Sequence, residues 1–307
     1  MAGNAPIARR ECRRRHAEEV RPSFRSVAGS HGQARQRAEV ASRDDDVPTL
    51  TVVRERSTLP GRRTVAEWPA NNGLVIRALV GERRRFVDVD GVASFAFAKT
   101  GPVVATAETL DDRLVHDTWI RSVLPLVVQA RGRQVLHASA IRTAGGIVAF
   151  CGQAGAGKST MAAILHGLGH EVVADDALGI EPNRGSVTAC PVPFRLRLRP
   201  ESSSHLGLPA IALTRGTAEP APLRRVVLLE DAGSKEPAVA ALHGGEAFAS
   251  IMPHAYCFEL DGNKEQLVAV YAHLCATVPV TRFAYPRSFG RVDATVEALQ
   301  PLLRSDD

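Results

Sequence analysis

The sequence predicts an α/β fold: a mixed central sheet with flanking helices, preceded by a small β-rich region and an unstructured tail. Three observations predict it. A glycine-rich turn, Gly152-Gln153-Ala154-Gly155-Ala156-Gly157-Lys158-Ser159-Thr160, stands between the apolar run Ile147-Val148-Ala149-Phe150 and a segment with helical periodicity. A second apolar run, Glu171-Val172-Val173-Ala174, ends in the acidic pair Asp175-Asp176. Upstream, residues 48–108 hold short apolar runs of strand length and no helical repeat.

Composition narrows the classes of function. The 307 residues are 45% hydrophobic, enough for a sizeable core in one large or two ordinary domains. The formal net charge is +5, but much of the arginine sits in the first few dozen residues. That places the basic excess on a tail, and no nucleic acid partner is expected. Five cysteines, Cys12, Cys151, Cys190, Cys257 and Cys275, show no C-x-x-C spacing, so neither a disulfide framework nor a zinc site is indicated and a reducing cytoplasm fits. No apolar run approaches the roughly 20 residues of a membrane helix, and the start lacks the apolar stretch of a signal peptide. A cytoplasmic location without a membrane partner is therefore expected.

In chain order, residues 1–47 alternate Arg9, Arg10, Arg13, Arg14, Arg15, Arg21 and Arg25 with small and acidic residues, and read as a disordered tail. Residues 48–108 read as a small antiparallel sheet. Leu74-Val75-Ile76 and Leu79-Val80 are apolar, and Asp90-Gly91 joins Phe86, Val87 and Val89 to Phe95 and Phe97, a hairpin signal. From residue 109 onward the chain reads as one nucleotide-binding domain. Val115, Trp119, Val123, Leu126 and Val127 form a helical stripe over 109–131, with Pro125 as a kink. Gln134 to Ile141 is a strand that the turn Thr143-Ala144-Gly145-Gly146 folds back onto Ile147–Phe150. His137 on that strand has two readings, a satisfied core histidine or an active-site group.

The run Gly152 to Ser159 is G-x-x-x-x-G-K-S, the pattern of a phosphate-binding loop. Glycines at 152, 155 and 157 allow backbone conformations closed to other residues, so that successive N–H groups can surround phosphate oxygens. The helix that follows adds its positive end. Met161, Ile164, Leu165 and Leu168 give it an apolar face, and Gly169 a stop. Lys158 is the candidate for the β- and γ-phosphates and Ser159 for Mg²⁺, which makes ATP and Mg²⁺ the expected cofactors.

Ligands of open α/β sheets sit at the carboxyl ends of strands, so Asp175 and Asp176 should open onto the same crevice as the loop. Neighbours on a strand point to opposite faces, and the two carboxylates should have different jobs. A turn or helix cap is the alternative. Further on, Arg195, Arg197 and Arg199 alternate with Phe194, Leu196 and Leu198, giving a strand with one basic and one apolar face. That face suits phosphate or an acidic peptide, or is a solvated edge. Val226–Leu229 and 278–285 read as strands, and 247–256, 264–276 and 292–303 as helices.

From His137 to Ile180 the chain resembles the catalytic domain of bacterial HPr kinase/phosphorylase and its shorter relatives, some of which phosphorylate serine in lasso peptide precursors. Leu136-His137-Ala138-Ser139-Ala140, the loop and Val173-Ala174-Asp175-Asp176 occur in the family's order, with 21 residues from His137 to Lys158 and 18 from Lys158 to Asp176. The resemblance implies a P-loop kinase fold of the HPr kinase type. It implies Asp176 as the base for a serine hydroxyl, His137 as an active-site partner, Lys158 as phosphate ligand and Ser159 as Mg²⁺ ligand. Asp175 would stand near the metal. Glu201 lies near the position of the family's later acidic metal contact, although the HPr kinase signature around it is missing. Tyr285, Pro286 and Arg287 resemble the C-terminal pattern of the short relatives, which makes Arg287 a site candidate.

The implied acceptor is a serine on a small protein or peptide, an HPr-like carrier or a lasso-type precursor, and a homo-oligomer is compatible with the chain. Two other classes stay open. A small-molecule kinase would use the same loop and strand-end Asp, while a non-catalytic ATP-binding regulator would leave the acidic pair without a task.

Overall fold

The computed structural model describes residues 48–54, 61–69, 73–233, 235–256 and 264–304. The expected tail at 1–47 lies outside the described residues. Six strands come first: β1 (Leu50–Val53), β2 (Arg63–Pro69), β3 (Val75–Val80), β4 (Arg85–Val89), β5 (Ala93–Phe97) and β6 (Val103–Ala107), in the order β1-β6-β5-β4-β3-β2. β2 to β6 are antiparallel, as the sequence predicts, and Asp90-Gly91 turns β4 into β5. β1 departs from that expectation by pairing parallel to β6, Leu50 against Val103. Alternate residues such as Val87, Val89, Phe95 and Phe97 make one apolar face.

The helical stripe of 109–131 packs on that face through Trp119, Val123, Leu124 and Val127. It is not one kinked helix. α1 (Asp112–Thr118), capped by the Asp111 carboxylate, runs into a π-helical turn (Trp119–Val123) and then α2 (Leu124–Ala130). Pro125 falls in the first turn of α2, where a missing N–H is tolerated, so the irregularity lies a turn before the proline.

The remaining elements follow in chain order. They begin with β7 (Gln134–Leu136), β8 (Ser139–Thr143), β9 (Gly146–Cys151), α3 (Lys158–Gly167), β10 (Glu171–Ala174), β11 (Leu178–Asn183) and β12 (Ser186–Pro191). Then come β13 (Phe194–Arg197), α4 (Pro200–Leu206), β14 (Ile211–Arg215), β15 (Ala221–Asp231), β16 (Ala238–Leu242) and α5 (Gly244–Ile251). A 3₁₀ turn (Met252–His254), α6 (Lys264–Thr277), β17 (Val280–Tyr285), a second 3₁₀ turn (Phe289–Arg291) and α7 (Val292–Leu303) complete the chain.

Nine of these strands form one mixed sheet. β8 lies between β10 and β9, antiparallel to both, while β15 is parallel to β9 and to β17. β7, β11 and β12 pair antiparallel, and β12 joins the start of β15. β13 and β14 pair separately. Period-two alternation sends the residues of the central strands into two cores. Ile147, Ala149, Cys151, Val226 and Leu228 pack with Ala247, Ile251, Tyr271 and Leu274 of α5 and α6. Val148, Phe150, Val227 and Leu229 pack with Met161, Leu165 and Leu299 of α3 and α7. Leu168 does not join the α3 stripe: it follows the last helical residue and is 56% exposed.

Candidate functional site

The single strand read at 134–141 is interrupted. Ala174 pairs with Ala140 and Leu178 with Leu136, in one register on either side of a gap, after a shift between Val172 and Ala174 in β10. The gap holds His137 and Ala138 on one segment and Asp175, Asp176 and Ala177 on the other. Within it the strand ladder gives way to other bonds. The His137 N–H donates to the His254 carbonyl at 2.7 Å, and the His137 Nδ1 lies 2.8 Å from the Asp176 carbonyl oxygen. Because a carbonyl only accepts, Nδ1 carries the proton and Nε2 is left with its lone pair. Burial, then the Lys158 charge, pushes the His137 pKa below its ordinary value, so the imidazole is neutral at pH 7.

Asp176 is the only non-glycine among the described residues with positive φ, at 65°. Such a conformation costs of the order of 1 kcal/mol and persists where its surroundings fix it. Here its carbonyl accepts from His137 and, at 3.3 Å, from the Tyr256 hydroxyl, while its Oδ2 lies 3.2 Å from Arg121 Nε. Arg121 projects from the π-helical turn, an irregularity often found at functional sites. Asp175 is 4% exposed and differently held. Its Oδ1 accepts from Ser139 Oγ at 2.6 Å and Ser159 Oγ at 2.9 Å, and its Oδ2 from the Arg197 N–H at 3.3 Å. Burial and the Asp176 charge push its pKa up to about 6 against those three bonds. The two carboxylates thus have different surroundings, one a buried anchor of the loop helix, the other turned to a cation.

The glycine-rich turn runs from the end of β9 to the start of α3. Gly157 has φ 95°, and a Cβ there would collide with the Tyr285 hydroxyl. That hydroxyl donates to the Ala156 carbonyl at 2.7 Å; since a trans peptide sets C=O and N–H on opposite sides, it also aims the Gly157 N–H away from β17. The Gly155 carbonyl accepts from Arg287 Nη1 at 2.5 Å, and Arg287 is itself held by Asp231 at 2.7 Å, at the end of β15. Lys158, 8% exposed, donates its Nζ to the Gly152 carbonyl at 2.9 Å, and burial lowers its pKa. Thr160 Oγ1 lies 2.9 Å from Ser202 Oγ of α4.

These groups meet at one cleft of about 720 Å³. His137, Asp175 and Asp176 line it from the strand gap, and Ala154, Gly155, Gly157, Lys158, Ser159 and Thr160 from the loop. Glu201 and Arg287 also line it, whereas Gly152, Gln153 and Ala156 build the loop without forming its wall. The volume is within the range of small-molecule sites. A loop whose carbonyls are engaged by Tyr285, Arg287 and Lys158, with a buried ammonium at its end, suits a polyphosphate. Among the described residues no group of three His, Cys, Asp or Glu forms a metal cluster. Ser159 and Asp175 together supply oxygen donors of the kind Mg²⁺ takes, and Mg²⁺ usually completes its shell with phosphate and water.

Sequence reading missed Arg121, Tyr256 and Asp231, and named Tyr285 only within the C-terminal pattern, not as a contact of the loop. Asp231 had a signal, an acid ending an apolar strand, like Asp175-Asp176. The others act across long sequence separations that no local pattern reports. No family model and no curated protein matches the chain. Among solved structures, the chain is similar to the HPr(Ser) kinase/phosphatase from Coxiella burnetii, at 12% identity and a TM-score of 0.33, over 55% of this chain and 88% of that one.

Proposed function

We propose that this chain is an ATP-dependent serine kinase of the HPr kinase type, which transfers the γ-phosphate of Mg-ATP to a serine hydroxyl of a small protein or peptide. The observation that carries the reading is the convergence of the strand gap and the loop on one cleft, so that His137, Asp176 and Lys158 face a common space. Catalysis of phosphoryl transfer is mostly positioning and neutralisation of charge, and these residues supply both. Lys158 exchanges the Gly152 carbonyl for the β- and γ-phosphates. Ser159 and Asp175 would hold Mg²⁺, which supplies charge neutralisation when bound. Asp176, fixed through its carbonyl by His137 and Tyr256 and through its carboxylate by Arg121, takes the proton of the attacking hydroxyl. Glu201 stands on the α4 wall as a further oxygen donor. The acceptor is an HPr-like carrier or a lasso-type precursor peptide.

The test is intact mass after incubation with Mg-ATP and each acceptor. One added phosphate is expected, and Asp176→Asn should lower the rate roughly 10²- to 10⁴-fold while ATP still binds. Transfer at an unchanged rate by that variant would remove Asp176 from its role. Phosphorylation of metabolites but of no peptide would favour a small-molecule kinase, and nucleotide binding with no transfer to anything a regulator.

A further inference from the structure

Four arginines line the cleft, and three of them are already paired. Arg121 is held by Asp176, Arg197 by Asp117 and Arg287 by Asp231. The Arg199 guanidinium makes no ion pair or side-chain hydrogen bond among the described residues, although Glu201, an acidic neighbour, is two positions away. Its backbone is nevertheless fixed. Leu198 N donates to the Ala210 carbonyl at 2.9 Å, and the Arg199 carbonyl accepts from Ser203 N at 2.9 Å, so the side chain hangs from an anchored strand end.

The free guanidinium lies over the loop. Its Nη2 is 3.1 Å from the point a Cβ on Gly155 would occupy, and its charge acts on Lys158, disfavouring the ammonium form. Asp176 and Asp175 act on Lys158 in the opposite sense, but neither bonds the Arg199 guanidinium, and an anion placed between the two cations of this wall would be attracted by both. The geometry leaves the Arg199 fork facing the loop with room for a negatively charged ligand. A guanidinium is suited to that ligand because its planar fork can bind two phosphoryl oxygens at once.

Resting on the kinase reading above, we propose that Arg199 is a ligand of the terminal phosphate, an arginine supplied in cis that holds the group being transferred. In the transfer the bond from the terminal phosphorus to the bridging oxygen breaks. Its electron pair stays on the β-phosphate of ADP, the acceptor oxygen bonds to phosphorus, and the hydroxyl proton passes to Asp176. The Arg199 N–H groups stay on the equatorial oxygens throughout, where charge persists in the transition state.

The experiment compares Mg-ATP and Mg-ADP binding by calorimetry in the full chain, its Arg199→Ala and its Arg199→Lys forms, with circular dichroism to check folding. Arg199→Ala should bind Mg-ATP at least about tenfold more weakly with Mg-ADP unchanged, and turnover should fall by about 10² or more. The lysine form should recover only part, since it lacks the fork. If Arg199 merely packed on Gly155, both nucleotides would weaken equally. Equal weakening, or an unchanged ratio of the two affinities, overturns the assignment of Arg199 and leaves the kinase reading standing. Failure of the unaltered protein to bind Mg-ATP overturns both.

Discussion

The Tyr285 hydroxyl occupies the space where a Cβ on residue 157 would stand, and from there it donates to the carbonyl of Ala156. Two residues 128 positions apart in the chain thus share one small volume.

The first expectation follows from that contact. Gly157→Ala should abolish nucleotide binding, because the added methyl meets the hydroxyl and the residue must keep φ near 95°. Tyr285→Phe should cost about 1–3 kcal/mol of stability, the usual penalty for a buried acceptor deprived of its donor. Combining the two should restore some binding by removing the clash while the backbone strain remains. Calorimetry with Mg-ATP and denaturant melts would read these effects; a double variant no better than Gly157→Ala alone would show that the contact is not what excludes the methyl.

Arg121 offers a second expectation. Its Nε bonds to Asp176 Oδ2 from an element more than fifty residues earlier, and removal should leave that carboxylate free to turn. Arg121→Ala should lower kcat of peptide phosphorylation about tenfold with the KM for ATP little changed, since misplacement of a reacting group by a fraction of an ångström is felt mainly in the chemical step. A rise in KM with unaltered kcat would contradict a positioning role.

Stability should depend on pH in the acid range. Burial, then the charges of Lys158 and His137, pushes the His254 pKa down to about 4, and His137 is lowered too. Between about 4 and the unfolded value near 6.5 the unfolded chain binds more protons at these sites, so stability rises with pH and is lost on acidification. Asp175 acts in the opposite sense. Raised to about 6, it binds its proton more tightly in the folded state, so its contribution falls as pH rises from about 4 to 6. Burial lowers the His116 pKa as well, and with three histidines against one raised carboxylate the melting temperature should drop as pH is lowered from 6.5 to 4.5, and His254→Gln should flatten that drop. Parallel melting curves for the two proteins would rule out His254 as a source.

Much of this site was legible in the chain. Glycine spacing placed the loop between a strand and a helix, and the apolar run before Asp175-Asp176 placed those acids at a strand end. The break at His137 was hidden because Val135-Leu136-His137-Ala138-Ser139 reads as continuous strand; the interruption comes from a change of partners, which local sequence does not record. The hairpin of β11 and β12, turning at Arg184-Gly185, went unread. The alternating arginines were legible as a basic face but not as two different environments. Arg195 and Arg197 are paired with Asp117, a residue on α1, and Arg199 carries no such partner at the cleft, which Arg197 also lines.

The interrupted ladder also limits how this molecule can move. Residues 134–143, 171–180 and 221–231 each run from the β7·β11·β12 strands into the β8·β9·β10 strands, crossing like three rivets through two plates. Opening these strands like jaws would break the sheet at all three crossings. The cleft wall outside these strands is formed by Glu201 and Ser202 of α4 on one flank and the stretch from Pro286 to Phe289 on the other, so a change of shape on ligand binding is expected there, with His137 and the two aspartates held in the strand gap beneath.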